Sequence, residues 1–255
     1  MNADRRDIVA KELAHNRSAG IVSDLPLTDI GDVAEAYAIQ SAATADFADD
    51  DVGYTVVGSS AGARRSLGLD APIFGTIAQG SVIREEQPGF RIPAGLIGAQ
   101  CELVFTIGNL PMEDMAADRE ALAGALLGCR AGIGLLGRRT SAPLSPLGAI
   151  ADHALHVATI CGRYREGGPE CDLNAIEVRA HLDGNEVAHG VANAVMGGPV
   201  NVVMWLADQL RNGGGALNPG DIVATGSLTP ILQVLPGQRL EVDFGPIGRV
   251  ACDFE

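Results

Sequence analysis

Glycine and proline punctuate the chain too densely for long helices to dominate it. There are 33 Gly and 13 Pro in 255 residues, about 18% against roughly 12% in average usage. With no internal repeat and no low-complexity tract, that density predicts many tight turns between short strands. The first fifty residues are the exception. Residues 4–17 and 29–48 carry apolar positions at helical spacing, among them Ile30, Val33, Ala34, Tyr37 and Ala38. The acidic run Asp49-Asp50-Asp51 closes the second helix as a solvated loop. Beyond it the pattern predicts strands over 52–57, 73–77, 100–107, 131–136, 155–161, 175–182, 185–190, 221–225, 231–234, 239–244 and 248–253. Three helices interrupt them: 60–67; 113–128, with Glu113 and Asp114 at its start; and 199–211, opened by Pro199 and followed by glycines 213–215. Val202, Val203, Leu206 and Leu210 make an apolar stripe on the last, suited to a core or a subunit interface. The fold class is α+β, a small helical N-terminal cap (1–75) on a Gly-rich β-body (76–255).

Eighteen Lys+Arg against 32 Asp+Glu give a net charge of −14. That balance argues against nucleic acid, whose recognition runs on basic clusters, and against anionic membrane surfaces. Lys11 is the only lysine, so unless it serves, Schiff-base, general-base and P-loop lysine chemistry are excluded. Cys101, Cys129, Cys161, Cys171 and Cys252 are odd in number and form no C-x-x-C pair, which suits reduced thiols rather than a disulfide framework or a zinc site. The N-terminus is polar and lacks the apolar core of a signal peptide, and no apolar run approaches the ~20 residues that span a bilayer. The expected location is the cytoplasm.

Three constellations carry polar chemistry. In the strand Gln100-Cys101-Glu102-Leu103-Val104-Phe105, Gln100 and Glu102 share one face, where two oxygen-bearing side chains can converge on a divalent cation. Only one of them is charged, and a solvent-facing Glu is the plain alternative. His153 and His156, beside Asp152, share a face on a helix and oppose each other on a strand. Their surroundings suggest a helix-to-strand junction and leave catalytic and structural roles both open. Thr225-Gly226-Ser227-Leu228-Thr229 follows the apolar strand Ile222-Val223-Ala224, where hydroxyls and free N–H groups can cradle a carboxylate or enolate oxygen. No G-x-G-x-x-G joins a strand to a helix, so a Rossmann reading lacks support.

Several segments, taken in order, carry a wider resemblance. They are Ala36-Tyr37-Ala38-Ile39-Gln40, Gly53-Tyr54 running to Ser59-Ser60, Leu67-Gly68-Leu69-Asp70 with Pro72 and Phe74-Gly75, and Ile150-Ala151-Asp152. Gly198-Pro199-Val200-Asn201 follows with Trp205-Leu206-Ala207, then Pro219-Gly220-Asp221 with Thr225–Thr229, Pro236-Gly237 and Phe244. Together they resemble the 2-keto-4-pentenoate hydratase / 2-oxo-3-hexenedioate decarboxylase family of the fumarylacetoacetate hydrolase superfamily. The resemblance implies a mixed β-roll, a cytoplasmic homo-oligomer and association with a related enzyme. It also implies Mg²⁺ or Mn²⁺ chelated by a small 2-oxo or enol carboxylic acid from aromatic catabolism, with the metal stabilising an enolate.

The departures are as informative. The family's E-x-E metal pair falls on Gln100 and Glu102, its third metal carboxylate on Gly134, its lysine on Thr55, the acid before its F-G pair on Ile73, and its asparagine after Ala151-Asp152 on His153. Glu102 is the one surviving metal ligand, so a tight Mg²⁺ or Mn²⁺ site is not expected. Three readings follow. The first is a repurposed lyase- or isomerase-type enzyme with little or no metal dependence. It would use Glu102 and His153 for catalysis, and Ser59, Ser60, Gln100, Ser227, Leu228 and Thr229 for substrate. The second is a non-catalytic subunit or metabolite binder, and the third a metal-dependent 2-oxopent-4-enoate-type hydratase with a rebuilt metal site.

Overall fold

A computed structural model describes residues 1–47, 49–85, 87, 89–109, 119–166 and 171–255. The chain opens with two capped helices. In α1 (Ala3–Ala19) the Asn2 side chain accepts from Arg5 N–H, and Gly20 closes the helix in the left-handed conformation at φ 64°. In α2 (Val33–Asp46) Asp32 accepts from Glu35 N–H, while the Glu35 carboxylate reaches back to Gly31 N–H at 2.7 Å. Their buried faces, Val9, Ala10 and Leu13 with Ala36, Ile39 and Ala43, form one apolar cluster with Val57, Leu67, Leu69, Ile73, Ile150 and Leu155.

The body is built on two sheets. The larger contains β1 (Asp51–Val57), β2 (Ile73–Ala78), β3 (Val82–Arg84), β4 (Leu96–Ile107), β5 (Leu126–Gly137), β6 (His156–Cys161), β7 (Arg165–Glu166) and β10 (Ile222–Ala224). Its order is β2-β1-β10-β4-β5-β6-β3, with β7 added to β5. The smaller runs β12-β11-β8-β9, from β8 (Glu177–Leu182), β9 (Asn185–Val191), β11 (Arg239–Asp243) and β12 (Arg249–Asp253). The large sheet curls: β2 and β6 are far apart in strand order yet touch. One face of β4 and β5, with Leu103, Phe105, Ala131, Ile133 and Leu135, packs in the main core. Val178, Ala180, Leu240 and Val242 of the small sheet and Val202, Val203 and Leu206 of α6 (Pro199–Asn212) complete that core. The α+β roll with a helical N-terminal segment is therefore the observed fold.

Several local expectations are corrected. The helix expected over 113–128 is present as α4, Arg119–Gly124, and 113–118 lie outside the described residues. Residues 126–128 are strand instead, because β4 claims them by pairing Ile107 with Leu126 and Thr106 with Gly128. No strand forms over 231–234, where Pro230 and Pro236 interrupt the chain and one bridge, Ala99 to Leu232, is made. A helix that the pattern missed, α5 (Pro146–Ala151), is capped by Ser145 with Pro146 in its first turn. Residue 75 lies inside β2, and strands β1 and β2 belong to the large sheet. The short α3 (Ala61–Leu67) matches its expected position.

Gly53 makes the β1–β10 seam. It sits at φ +148°, and a Cβ there would lie 1.9 Å from the Ile222 carbonyl oxygen of the parallel partner. Gly53→Ala is expected to cost on the order of 3 kcal/mol, read as a lower urea midpoint at unchanged m-value.

Candidate functional site

Ladder register fixes which side chains meet inside the roll, because directly paired residues share a face. Gln100 pairs with Gly134, Glu102 with Gly132 and Val104 with Arg130. Gly134 pairs in turn with Thr159, Gly132 with Cys161 and Cys161 with Arg84. On the other side Val104 pairs with Ala224, and Ala224 with Thr55. Ile77, Val104, Cys161, Ile222 and Ala224, from strands on both flanks, form a small apolar cluster there, with Val82 packed against it. This face is thus the concave one. It carries Gln100, Glu102, Thr55, Thr159, Arg130 and Cys161.

Glu102 is fully buried. Its Oε2 accepts from Gly226 N–H at 3.2 Å and from Gln100 Nε2 at 3.0 Å. Burial pushes the carboxyl up to about 8, against the pull of those two donors. At neutral pH Glu102 is therefore a neutral acid. With Oε2 accepting twice, the proton belongs on Oε1, which has no hydrogen-bond partner; Gln100 Oε1 and Thr55 Oγ1 are buried and unpartnered as well. Gly132 and Gly134 make room for these side chains. A Cβ at 134 would lie 2.5 Å from Glu102 Oε1 and 2.9 Å from Gln100 Nε2.

The divalent cation implied by the resemblance does not fit these residues. The position of its third carboxylate is filled by Glu102 itself, and the remaining donors are one protonated acid, one amide and one hydroxyl. All three are fully buried, and none offers the ionised oxygen on which a hard dication relies. Among the described residues no three His, Cys, Asp or Glu side chains converge to hold a metal.

The hydroxyl-rich turn is only partly a cradle. Gly226 N–H serves Glu102, but Ser227 Oγ donates to the Thr229 carbonyl at 2.6 Å and Ser59 Oγ to the Thr225 carbonyl at 2.7 Å. Leu228 N–H donates to the Cys101 carbonyl, and the Leu228 side chain joins the main core, the face opposite Glu102. Ser60 caps α3 through Ala63 N–H. Ser60, Leu228 and Thr229 line a separate cavity of about 460 Å³ with Arg65 and Ser66. The structure thus joins Gln100, Glu102 and the Gly226 amide, keeps Ser59 Oγ beside Gly226, and turns Ser60, Leu228 and Thr229 toward the separate cavity.

His153 belongs to another polar cluster. It begins a run of three left-handed residues, His153, Ala154 and Leu155, at φ 50°, 51° and 64°, an uncommon conformation for side-chain-bearing residues. The His153 carbonyl lies against Gly75, where a Cβ would come within 2.4 Å. Arg17 donates to His153 Nδ1 at 3.0 Å, and the Thr44 hydroxyl lies 3.4 Å from the same nitrogen. Burial, then the charges of Arg17 and Arg139, hold the ring well below its ordinary value and neutral. None of the groups acting on His153 also acts on Glu102. His156, likewise held neutral, meets Thr159 Oγ1 at 3.0 Å. Beneath the turn, Asp152 and Arg139 form a buried ion pair at 3.2 Å.

Arg130 was not among the expected site residues. Its signal is the alternation Gly128-Arg130-Gly132-Gly134 against Cys129-Ala131-Ile133-Leu135, masked by starting the strand at 131.

Residues 56–255 match the family described as "Fumarylacetoacetate (FAA) hydrolase C-terminal". The 2-keto-4-pentenoate hydratase 1 of Dechloromonas aromatica (strain RCB) is 26% identical over 242 residues, covering 90% of this chain and 89% of that protein. The 2-keto-4-pentenoate hydratase of Paraburkholderia xenovorans (strain LB400) is 25% identical over 260 residues, covering 96% and 94%. In structure, the 4-oxalocrotonate decarboxylase from Pseudomonas putida G7, complexed with magnesium and adipate, superposes with a TM-score of 0.88 at 19% identity, over 100% of this chain and 99% of that one.

Proposed function

This chain belongs to the fumarylacetoacetate hydrolase family, and on that premise we propose that it is a hydratase/decarboxylase-like enzyme of lyase or isomerase type. Its substrate is a small 2-oxo or enol carboxylic acid, and it moves a proton without a resident divalent cation. One observation carries the reading: inside the roll a fully buried glutamic acid is held by two N–H donors through one oxygen and leaves the other free. A carboxyl poised at about 8 gives and recovers a proton near neutral pH, the condition for general acid–base work. Glu102 protonates C3 of a bound enol, and the proton released from the enol oxygen restores the acid. The Gly226 amide and Gln100 Nε2 hold the carboxylate formed in between. His153 is a structural residue in this reading, and the Ser60–Thr229 cavity is not the reacting centre. Cytoplasmic residence and self-association belong to the same reading. Five unpaired cysteines, four of them buried, support the first.

The test is exchange of the C3 protons of pyruvate in D₂O, followed by proton NMR with EDTA present. Wild type is expected to exchange them, and Glu102→Gln to slow exchange by about 10²–10⁴-fold. Exchange that appears only on adding Mg²⁺, or that survives Glu102→Gln, would overturn the proposal. EDTA should also leave the melting temperature within about 1 °C, since a cation held at a hundredfold excess over Kd contributes about 2.7 kcal/mol and its removal would cost several degrees.

A further inference from the structure

On the concave face of β5 the residues in order are Gly128, Arg130, Gly132 and Gly134. Arg130 is the one cation of that run, opposite Val104 and diagonal to Glu102, and diagonal neighbours lie about 7–8 Å apart. Its guanidinium lies over the Tyr164 ring, 5.7 Å from the centroid, a contact that orients the planar fork. Arg130 Nε is buried and donates to nothing, and no ion pair among the described residues includes Arg130. A buried donor without an acceptor is costly. It is also unexpected where acids outnumber bases 32 to 18. Cys161, paired with Gly132 across from Glu102, lies on the same face as both groups.

We propose that Arg130 is the carboxylate-binding residue of this site, taking the C1 carboxylate of a 2-oxo acid on its fork and directing C3 toward Glu102. The inference rests on the proton-transfer reading above and adds to it the determinant of substrate class. Guanidinium binds carboxylate through two parallel N–H···O bonds, a geometry an ammonium cannot reproduce. The ligand must therefore be an ionised acid; an ester or amide of the same skeleton is rejected.

Isothermal titration of wild type, Arg130→Met, Arg130→Lys and Glu102→Gln with pyruvate and with methyl pyruvate tests this, beside thermal melts of each. Wild type should bind pyruvate and discriminate against the methyl ester. Arg130→Met should weaken pyruvate by at least about tenfold while leaving the ester unchanged, as expected for a lost charge-assisted pair. Arg130→Lys should fall between, and it reads the fork alone if the methionine variant fails to fold. Glu102→Gln should bind pyruvate within about threefold of wild type, since it removes proton transfer and not the anchor. If Arg130→Lys and Arg130→Met bind pyruvate as wild type does, the anchor is overturned and the proton-transfer reading stands. If wild type binds neither compound, both fall.

Discussion

Glu102→Gln is expected to remove proton transfer and, above neutral pH, to make the protein more stable. The folded-state carboxyl sits at about 8 against an ordinary value of 4.5, with desolvation the largest cause. Between those values the folded chain holds a proton that the unfolded chain releases. Wild-type stability is therefore complete below about pH 4.5, falls as pH rises, and levels off above about pH 8. The full span is on the order of 4–5 kcal/mol at about 1.4 kcal/mol per pKa unit. A glutamine side chain in its place would keep an acceptor for Gly226 N–H and Gln100 Nε2 and would not titrate. Urea unfolding at about pH 5 and about pH 9 should show a steep loss for wild type and a much flatter response for the variant. A group whose removal abolishes activity while raising stability is the signature of a functional residue held at a structural cost. A variant less stable than wild type at the higher pH would mean that Glu102 is native as a paired carboxylate, which removes the acid from the mechanism.

The second large effect lies outside the roll's interior. Asp152→Ala is expected to cost about 3–5 kcal/mol, because it strands a buried guanidinium. Arg139 is 5% exposed and Asp152 1%. The Arg139 side chain donates to Asp152 and to the Gly137 and His156 carbonyls, and its backbone N–H donates to Asp152 Oδ2 at 2.8 Å. The Asp152 carbonyl also accepts from Leu155 N–H at 2.7 Å, bracing the left-handed turn. Desolvation is the largest influence on the Asp152 carboxyl and pushes it up in spite of Arg139. The pair is thus costly to break and weak as a source of net stability. Asp152→Ala with Arg139→Met should accordingly recover part of the loss, and a denaturation double-mutant cycle measures the coupling. A single-variant cost below about 1 kcal/mol would contradict the assignment of this pair as fully desolvated.

What the sequence disclosed follows from how local each signal is. Helices α1 and α2 are legible because apolar spacing is a pattern of near neighbours. The shared face of Gln100 and Glu102 is legible because alternation needs only neighbours. Alternation does not say which face a curled sheet turns inward, and that alone joins Thr55, Arg130 and Glu102 across four strands. The strand over 126–128 was hidden for the same reason: apolar Leu126 and Leu127 suit a helix as well, and β4 decides between them. The role of His153 stays open in the pattern, which cannot show that its Nδ1 accepts from Arg17, more than a hundred residues earlier. At the position of the family's third metal carboxylate, Gly134 carries no ligand and leaves the space that Glu102 Oε1 approaches.

The parallel seam between β1 and β10 carries a consequence for synthesis on the ribosome. Gly53–Thr55 pair with Ile222–Ala224, made about 170 residues later, roughly 10–30 s at ordinary elongation rates. Until then β1 can pair with β2 but has an open edge on its other side, and Gly226, which holds Glu102, has not been made. High contact order of this kind slows folding and lengthens the exposure of unpaired strands. The nascent chain therefore has no assembled interior until its last few dozen residues emerge, and a product truncated before β10 would present an adhesive edge to its neighbours rather than a partly working enzyme.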